Sequence, residues 1–213
     1  MAKKLKVLNA YAGIGGNRKL WEDVEVTAVE LDPKIASIYG DFFPEDEVVV
    51  GDAHQYLLDH YKEFDFIWSS PPCPSHSRAR YWSTKGDAFG VKPIYPDMML
   101  YQEIIFLTHF CDKQLWCVEN TVSYYDPLIR PQTVGKHYLW SNFNILAYRD
   151  QGNSHHFDSI DGKQEYKGFN LETYSGIDKR KILRNCVYPP FGKHVLDCAR
   201  GNTQQTLGGF IDG

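Results

Sequence analysis

Apolar residues in the first 120 positions fall into short runs separated by polar turns. "LKVLNAY" (5–11), "VEVTAVEL" (24–31), "DEVVVG" (46–51), "FDFIWSS" (64–70) and "QLWCVEN" (114–120) are each short and bounded by polar residues, which predicts buried strands. A helix candidate separates the first two. "MMLYQEIIFLTHFC" (98–111) repeats its apolar residues at helical spacing. Strand, helix and strand in this order predict an α/β fold with a doubly wound, mostly parallel sheet. Ligands of such sheets sit at the carboxyl ends of the strands. The residues that follow each strand are therefore where chemistry is sought.

From about Trp140 the pattern changes. "HYLWSNFNILAYRD" (137–150) reads as one or two strands. Residues 150–176 are polar and weakly patterned, which fits either a compact insert or a mobile loop. "DKRKILRNCVYPPFGKHVLDCA" (178–199) reads as helical, interrupted at Tyr188-Pro189-Pro190. The last residues, 200–213, read as a frayed tail. No internal repeat or low-complexity tract stands out, and residues 1–213 are expected to form a single domain.

Composition narrows the class. Hydrophobic residues make up 43% and charged residues 23%, which is ordinary for a globular chain. No apolar run approaches the ~20 residues of a membrane helix, so no membrane partner is expected. The basic start and short apolar stretch share features with a signal peptide, but they lead directly into a glycine loop and read as a first strand. Five cysteines without a CxxC pair argue against a disulfide framework or a metal site, and a reducing cytoplasm is the expectation. The net charge of −4 does not mark a nucleic-acid binder. Local basic groups exist, however: Arg78, Arg80 and Lys85, then Lys179, Arg180, Lys181 and Arg184.

Each strand end carries a short motif. After the first strand, "NAYAGIGGNRKLWE" places Gly13, Gly15 and Gly16 where the chain is expected to bend into a helix. The spacing is not GxGxxG, which disfavours a dinucleotide; the bland reading is a tight turn. Glu30 closes the second strand, where an acid can accept from ribose hydroxyls or simply face solvent. Asp52 closes the third, where it can accept from an adenine amino group or cap a helix. A glycine loop and two acids on three successive strands describe a nucleoside cradle, and without a phosphate-gripping motif S-adenosylmethionine is the natural candidate. The fourth strand runs into "SSPPCPSHSRAR". Most free cysteines are buried hydrophobes, but Cys73 stands on a stiff turn at the mouth of the same sheet. A thiol of ordinary pKa near ~8.5 is only a few per cent ionised at neutral pH; Arg78 and Arg80 are the expected cations that raise that fraction. Glu119 and Asn120 end the fifth strand. A thiol beside a carboxylic acid suits attack on an electron-poor ring with protonation at a ring nitrogen; the bland reading of Glu119 is a strand-end cap.

Taken together these motifs resemble the DNA (cytosine-5) methyltransferases over most of the chain. The resemblance implies a Rossmann-like S-adenosylmethionine-dependent fold. Tyr11, Ala12, Gly13, Ile14, Gly15 and Gly16 then line the methionine side of the cofactor. Glu30 and Leu31 meet its ribose and adenine, Asp52 and Ala53 its adenine amino group, and Pro72 its edge. "PPCPSHS" is similar to the family's Pro-Cys loop, with Cys73 as nucleophile and Ser77 at the family serine, and "ENT" resembles the Glu-Asn-Val motif. "PQTVGKHYLWSNF" is similar to the Gln-x-Arg-x-Arg stretch: Gln132 is present, but Lys136 and His137 are the nearest cations. "LRNCVYPP" resembles the motif that closes the cofactor pocket, with Asn185 and Val187 in that role and Arg184 in place of glycine. Ser77, Arg78, Arg80, Gln132 and Lys136 are the expected substrate contacts.

The reaction implied is flipping of the target cytosine out of DNA, attack of Cys73 on C6, assistance from Glu119 at N3, and methyl transfer to C5. Only about residues 146–180 are available for sequence recognition, which implies a minimal insert, relaxed specificity or a second protein chain. The alternatives are an RNA (tRNA) cytosine-5 methyltransferase, an amino-methyltransferase, and a catalytically idle cofactor-binding subunit of a modification system. The expected setting is the cytoplasm of a bacterium, or of the host of a phage, with a role such as restriction-modification.

Overall fold

The computed structural model describes residues 3–84, 92–149 and 159–201. Lys85, residues 150–158 of the expected recognition insert and the tail beyond Gly201 lie outside the described residues. Strands β1 (Leu5–Ala10), β2 (Val24–Glu30), β3 (Glu47–Val50), β4 (Phe66–Ser69), β5 (Leu115–Thr121), β6 (Gln132–Val134) and β7 (His137–Ser141) form one sheet in the order β3-β2-β1-β4-β5-β7-β6. The first five are mutually parallel; β7 runs antiparallel to both β5 and β6. This is the expected doubly wound, mostly parallel α/β architecture. The strand order reverses at β1, which pairs with β2 on one side and β4 on the other, and such switch points are where these sheets bind ligands.

Strand alternation supplies the two faces. Leu8, Ile67, Trp116 and Val118 point into one buried cluster, packed against Leu57 of α2 (Ala53–His60) and Ile104 and Leu107 of α4 (Met99–Phe110). Their neighbours Val7, Phe66, Trp68 and Cys117 point the other way, against Phe191, Val195 and Leu196 of α7 (Pro189–Ala199). The helical stretch 178–199 is interrupted before Pro189, as expected, and Pro189 opens α7, where its missing N–H is not needed.

One expectation is corrected, the one-or-two-strand reading of 137–150 is met by a single strand among the described residues, and one short strand went unread. The helix expected between β1 and β2 is a single 3-10 turn at Arg18–Leu20. The space a longer helix would fill on that face belongs to α7: Trp21 Nε1 donates to the Gly192 carbonyl at 3.0 Å, and a Cβ on Gly192 would stand 2.4 Å from the Asn17 carbonyl oxygen. The stretch 137–150 contributes only β7, because Asn142 turns its side chain to Trp116 N and Gln114 O instead of continuing the ladder. The three-residue edge strand β6 was not read as a strand, being too short to show alternation.

Residues 159–176 are compact. After α5 (Ile160–Lys167), Phe169 and Leu171 are buried beside Ile38 of α1 (Pro33–Phe42) and Ile182 and Leu183 of α6 (Lys179–Asn185). Phe42 meets Phe169 edge-on with centroids 4.9 Å apart, and Tyr174 OH donates to Asp41 at 2.9 Å. Burying side chains of this size contributes about 1.5–3 kcal/mol each, so this segment holds α1 and α6 to the sheet. Among the described residues no helix is long and apolar enough to cross a membrane.

Candidate active site

The glycine loop leaves the end of β1 and the Pro-Cys loop leaves the end of β4, the strand beside it. Ala10 and Ser69 are paired, and Ser70 N donates to Ala10 O at 3.3 Å. Tyr11 turns the chain with φ +58°, unusual for a residue with a side chain. Gly15 has φ +81°, and a Cβ there would stand 2.3 Å from the Phe43 ring. Gly16 is required by close approach: a Cβ would lie 2.3 Å from the Val187 carbonyl oxygen and 2.4 Å from Cys186 Sγ. The late "NCVY" segment therefore lies directly on the glycine loop, with Cys186 and Val187 against Gly16.

The two strand-end acids are tied into their loops. Glu30 Oε2 accepts from Gly13 N at 2.9 Å and its Oε1 from Asp32 N at 3.0 Å. Asp52 caps α2, with Oδ1 accepting from His54 N and Gln55 N at 2.8 and 3.3 Å. Helix capping, one of the two roles open to Asp52, is thus observed; both bonds are made by the same oxygen. Leu31, just past Glu30, is 72% exposed, an apolar side chain presented at the strand end. Ile14 is a core side chain, buried with Ile38 and Leu183, so only its backbone is available to a ligand. Ala53 is buried at the start of α2, Pro72 and Asn185 are exposed, and Val187 is half-buried.

Beneath the strand ends lies a carboxylate that the motif reading missed. Glu103 of α4 is fully buried, and three donors converge on it: Tyr11 OH at 2.5 Å, Ser69 Oγ at 2.6 Å and His54 Nδ1 at 2.9 Å. The hydrogen bond to Glu103 raises the His54 pKa above its ordinary value, outweighing the opposite effect of burial. Burial, with Glu103 adding to it, holds the Tyr11 phenol far above its usual range. One side chain thereby joins the loops after β1 and β4 to the start of α2. An acid within an apolar helical run was the signal in the sequence.

The Pro-Cys loop and the end of β5 are clamped together by two side-chain bonds. Asn120 Nδ2 donates to the Pro71 carbonyl at 3.0 Å, and Ser70 Oγ donates to Glu119 Oε2 at 3.1 Å. Ser70 is itself held by Trp68 Nε1 at 2.6 Å. Glu119 is buried, and its Oε1 lies 2.7 Å from His137 Nδ1. His137 is on β7 and stacks on Phe191 with centroids 4.5 Å apart. Cys73 is half-buried. Burial pushes its thiol up, the Glu119 charge adds to the rise, and a backbone hydrogen bond and Arg184 oppose it. The cation acting on the thiol is therefore Arg184 rather than Arg78 or Arg80, a correction of the expectation. Arg78 Nε instead donates to the Ser123 carbonyl at 2.8 Å, and Arg80 donates to the Lys92 carbonyl at 3.2 Å.

The remaining substrate candidates have local roles. Ser77 caps α3 (Arg78–Ser83) and pairs with Ser123. The Gln132 amide is taken up by Ser141, Phe143 and Ile145 N. Lys136 is exposed in the turn between β6 and β7. His137 and Arg184 stand in the sequence where the resembled motifs carry other residues; that departure was their signal.

Residues 5–99 match the family model for C-5 cytosine-specific DNA methylase. No curated protein matches the chain. Among solved structures, a triple-mutant DNMT2 from Spodoptera frugiperda is 25% identical, with 55% of this chain and 36% of that chain covered at a TM-score of 0.40. An S-adenosylmethionine-dependent methyltransferase from Agrobacterium tumefaciens is 17% identical, with 59% and 41% covered at 0.36. A prophage-encoded E. coli protein, described as a candidate DNA modification methyltransferase, is 18% identical, with 58% and 34% covered at 0.37. The chain thus spans about a third of the DNMT2 structure. The resemblance read from the sequence is shown over residues 5–99, the C-5 cytosine-specific DNA methylase stretch that carries the glycine loop, both strand-end acids and the Pro-Cys loop.

Proposed function

We propose that the chain is a DNA (cytosine-5) methyltransferase that uses S-adenosylmethionine. The observation carrying this reading is the double clamp, Asn120 to Pro71 and Ser70 to Glu119, which brings a half-buried thiol and a buried carboxyl to neighbouring strand ends. The residues at the ends of β1, β2 and β3 suit the cofactor. The glycine loop is closed by Cys186-Val187, Glu30 and Asp52 stand at successive strand ends, and the exposed Leu31 offers an apolar face for a base. When bound there, the cofactor supplies the methyl group.

The protein's own groups do the rest. The target base must leave the stack, at a few kcal/mol. Cys73 Sγ, as thiolate, forms a bond to C6. Glu119 carries a proton to N3, which stabilises the electron pair delivered to C5. After C5 has been methylated, loss of its proton restores the double bond and expels the thiolate. His137 and Ser70 hold the two carboxyl oxygens of Glu119, and Asn120 holds the loop that presents the thiol. Phe169 and Leu171 anchor the 146–180 stretch in the core while about half of its described residues are exposed, so sequence recognition falls to the exposed face of this stretch, to the loop after Cys73, or to a second protein chain.

The test supplies labelled S-adenosylmethionine with 5-fluorocytosine duplex DNA, tRNA and single-stranded DNA in parallel. A covalent adduct on DNA, absent in Cys73→Ser, is expected. An adduct on tRNA alone makes the substrate RNA; cofactor binding without any transfer leaves an idle subunit of a modification system.

A further inference from the structure

On the other side of the Pro-Cys loop lies a cavity of about 280 Å³ that the proposed chemistry does not use. Pro74 and Ser75, the residues directly after Cys73, form one wall. Arg80 and Tyr81 of α3, Tyr95 and Tyr124 form the others. The Tyr81 and Tyr124 rings are stacked flat, 4.1 Å apart and 3° from parallel. Tyr95 is 81% exposed, an uncommon position for so large a ring beside a reactive loop. Arg80 Nε is buried and has no hydrogen-bond partner among the described residues, although another nitrogen of the same side chain is bonded to Lys92 O. A buried donor without an acceptor is unfavourable, so a ligand with an acceptor atom is favoured there.

Aromatic walls, a single fixed donor and this volume suit a nucleobase, which has two π faces and acceptor atoms on its edge. The wall begins at Pro74, about 3.8 Å of chain from the residue that carries the sulfur, a reach of about one nucleotide. We propose that the cavity holds the base adjacent to the target cytosine, unpaired and stacked against the tyrosines, with Arg80 Nε donating to its edge. This rests on the cytosine reading above. It implies that the preferred substrate exposes unpaired bases on the target strand, and that the contact tolerates any base.

The test is a binding cycle read by fluorescence anisotropy, so that it does not depend on turnover. The probe is a short single-stranded oligodeoxynucleotide with one cytosine, compared with versions carrying an abasic site on either side of it. For the unaltered protein, one of the two abasic probes is expected to bind at least about fivefold more weakly, the lower end of a lost base–aromatic stack. Tyr95→Ala, a change at an exposed position that leaves the core intact, is expected to weaken the complete probe similarly. In that variant the abasic site should add little, because both changes remove one contact. Arg80→Met should behave in the same way. Independent, additive losses, or no effect of either abasic site, overturn the cavity assignment. Absence of methyl transfer to every cytosine substrate overturns the functional reading instead, whatever the binding cycle shows.

Discussion

Glu119 and His137 form a hydrogen-bonded pair across the junction of β5 and β7, with His137 Nδ1 2.7 Å from Glu119 Oε1. Thr121 is the direct ladder partner of His137, so the two side chains meet diagonally on one face of an antiparallel pair. The imidazole is in turn set by its stack on Phe191. With Ser70 on the other oxygen, both ends of the carboxyl are held.

His137→Phe keeps a ring for Phe191 and removes the donor; His137→Asn keeps a donor near the Nδ1 position and removes the ring. The Phe variant should lose at least about tenfold in turnover, less than the ~10²–10⁴-fold of a group that transfers the proton itself, because His137 acts through Glu119. Its KM for the cofactor should not change, and the Asn variant should recover part of the loss. Steady-state kinetics on both variants decides this; equal impairment of both would assign His137 to packing alone.

The Cys73 thiol is raised by burial and by Glu119 and lowered by Arg184. Its reaction with iodoacetamide should therefore rise steadily with pH through and above neutrality, as the thiolate fraction grows. Arg184→Ala removes the lowering influence and should move that rise to higher pH. Because Arg184 is exposed, the difference should shrink in high salt. Mass spectrometry of the modified peptide separates Cys73 from the four cysteines that are buried.

Glu103 gathers the hydroxyls of Tyr11 and Ser69 and the imidazole of His54 in the core. Glu103→Ala strands these donors and should destabilise the fold by on the order of 3 kcal/mol or more, measured by urea unfolding. His54 has a raised pKa in the folded state, so it binds its proton more tightly there than in the unfolded chain. That contribution is fully present below the unfolded value near ~6.5 and fades as pH rises through the folded one. Melting temperature followed from mildly acidic to mildly alkaline pH should show the decline, and His54→Gln should flatten it.

Gly16→Ala places a methyl group 2.3 Å from the Val187 carbonyl oxygen, where backbone must move. A loss of about 1–3 kcal/mol in stability follows from overpacking of this kind. Cofactor affinity should fall with it, because the displaced segment closes the glycine loop. Calorimetric titration with S-adenosylmethionine, alongside thermal melting, tests both.

Legibility differed by element. The five parallel strands were readable because each is a short apolar run, buried on both faces in the middle of the sheet and only partly covered at the β3 edge. Their end motifs were readable because a parallel sheet presents all its carboxyl ends on one edge. The missing helix after β1 was not, because what displaced it, α7, lies about 170 residues later in the chain. Asp52 was legible as a helix cap because its partners lie two and three residues on, whereas Gln132 matched a motif by residue type yet bonds to Ser141, Phe143 and Ile145, neighbours that no local pattern names.

By itself the order of residues determined a doubly wound sheet, a glycine loop, two strand-end acids and a thiol on a proline turn, since these follow from short-range pattern and local backbone chemistry. Tertiary structure alone decided that Arg184 opposes the rise in the thiol pKa, that His137 holds Glu119, and that Glu103 joins Tyr11, the end of β4 and the start of α2 from below. Those pairings cross 18 to 111 positions of sequence, a separation obtained from the numbers 119 and 137, and 73 and 184. Side chains so far apart in sequence come near one another only once the sheet and its helices are assembled, and hydrogen bonds such as those of Glu119 and Glu103 form only over the final few ångströms.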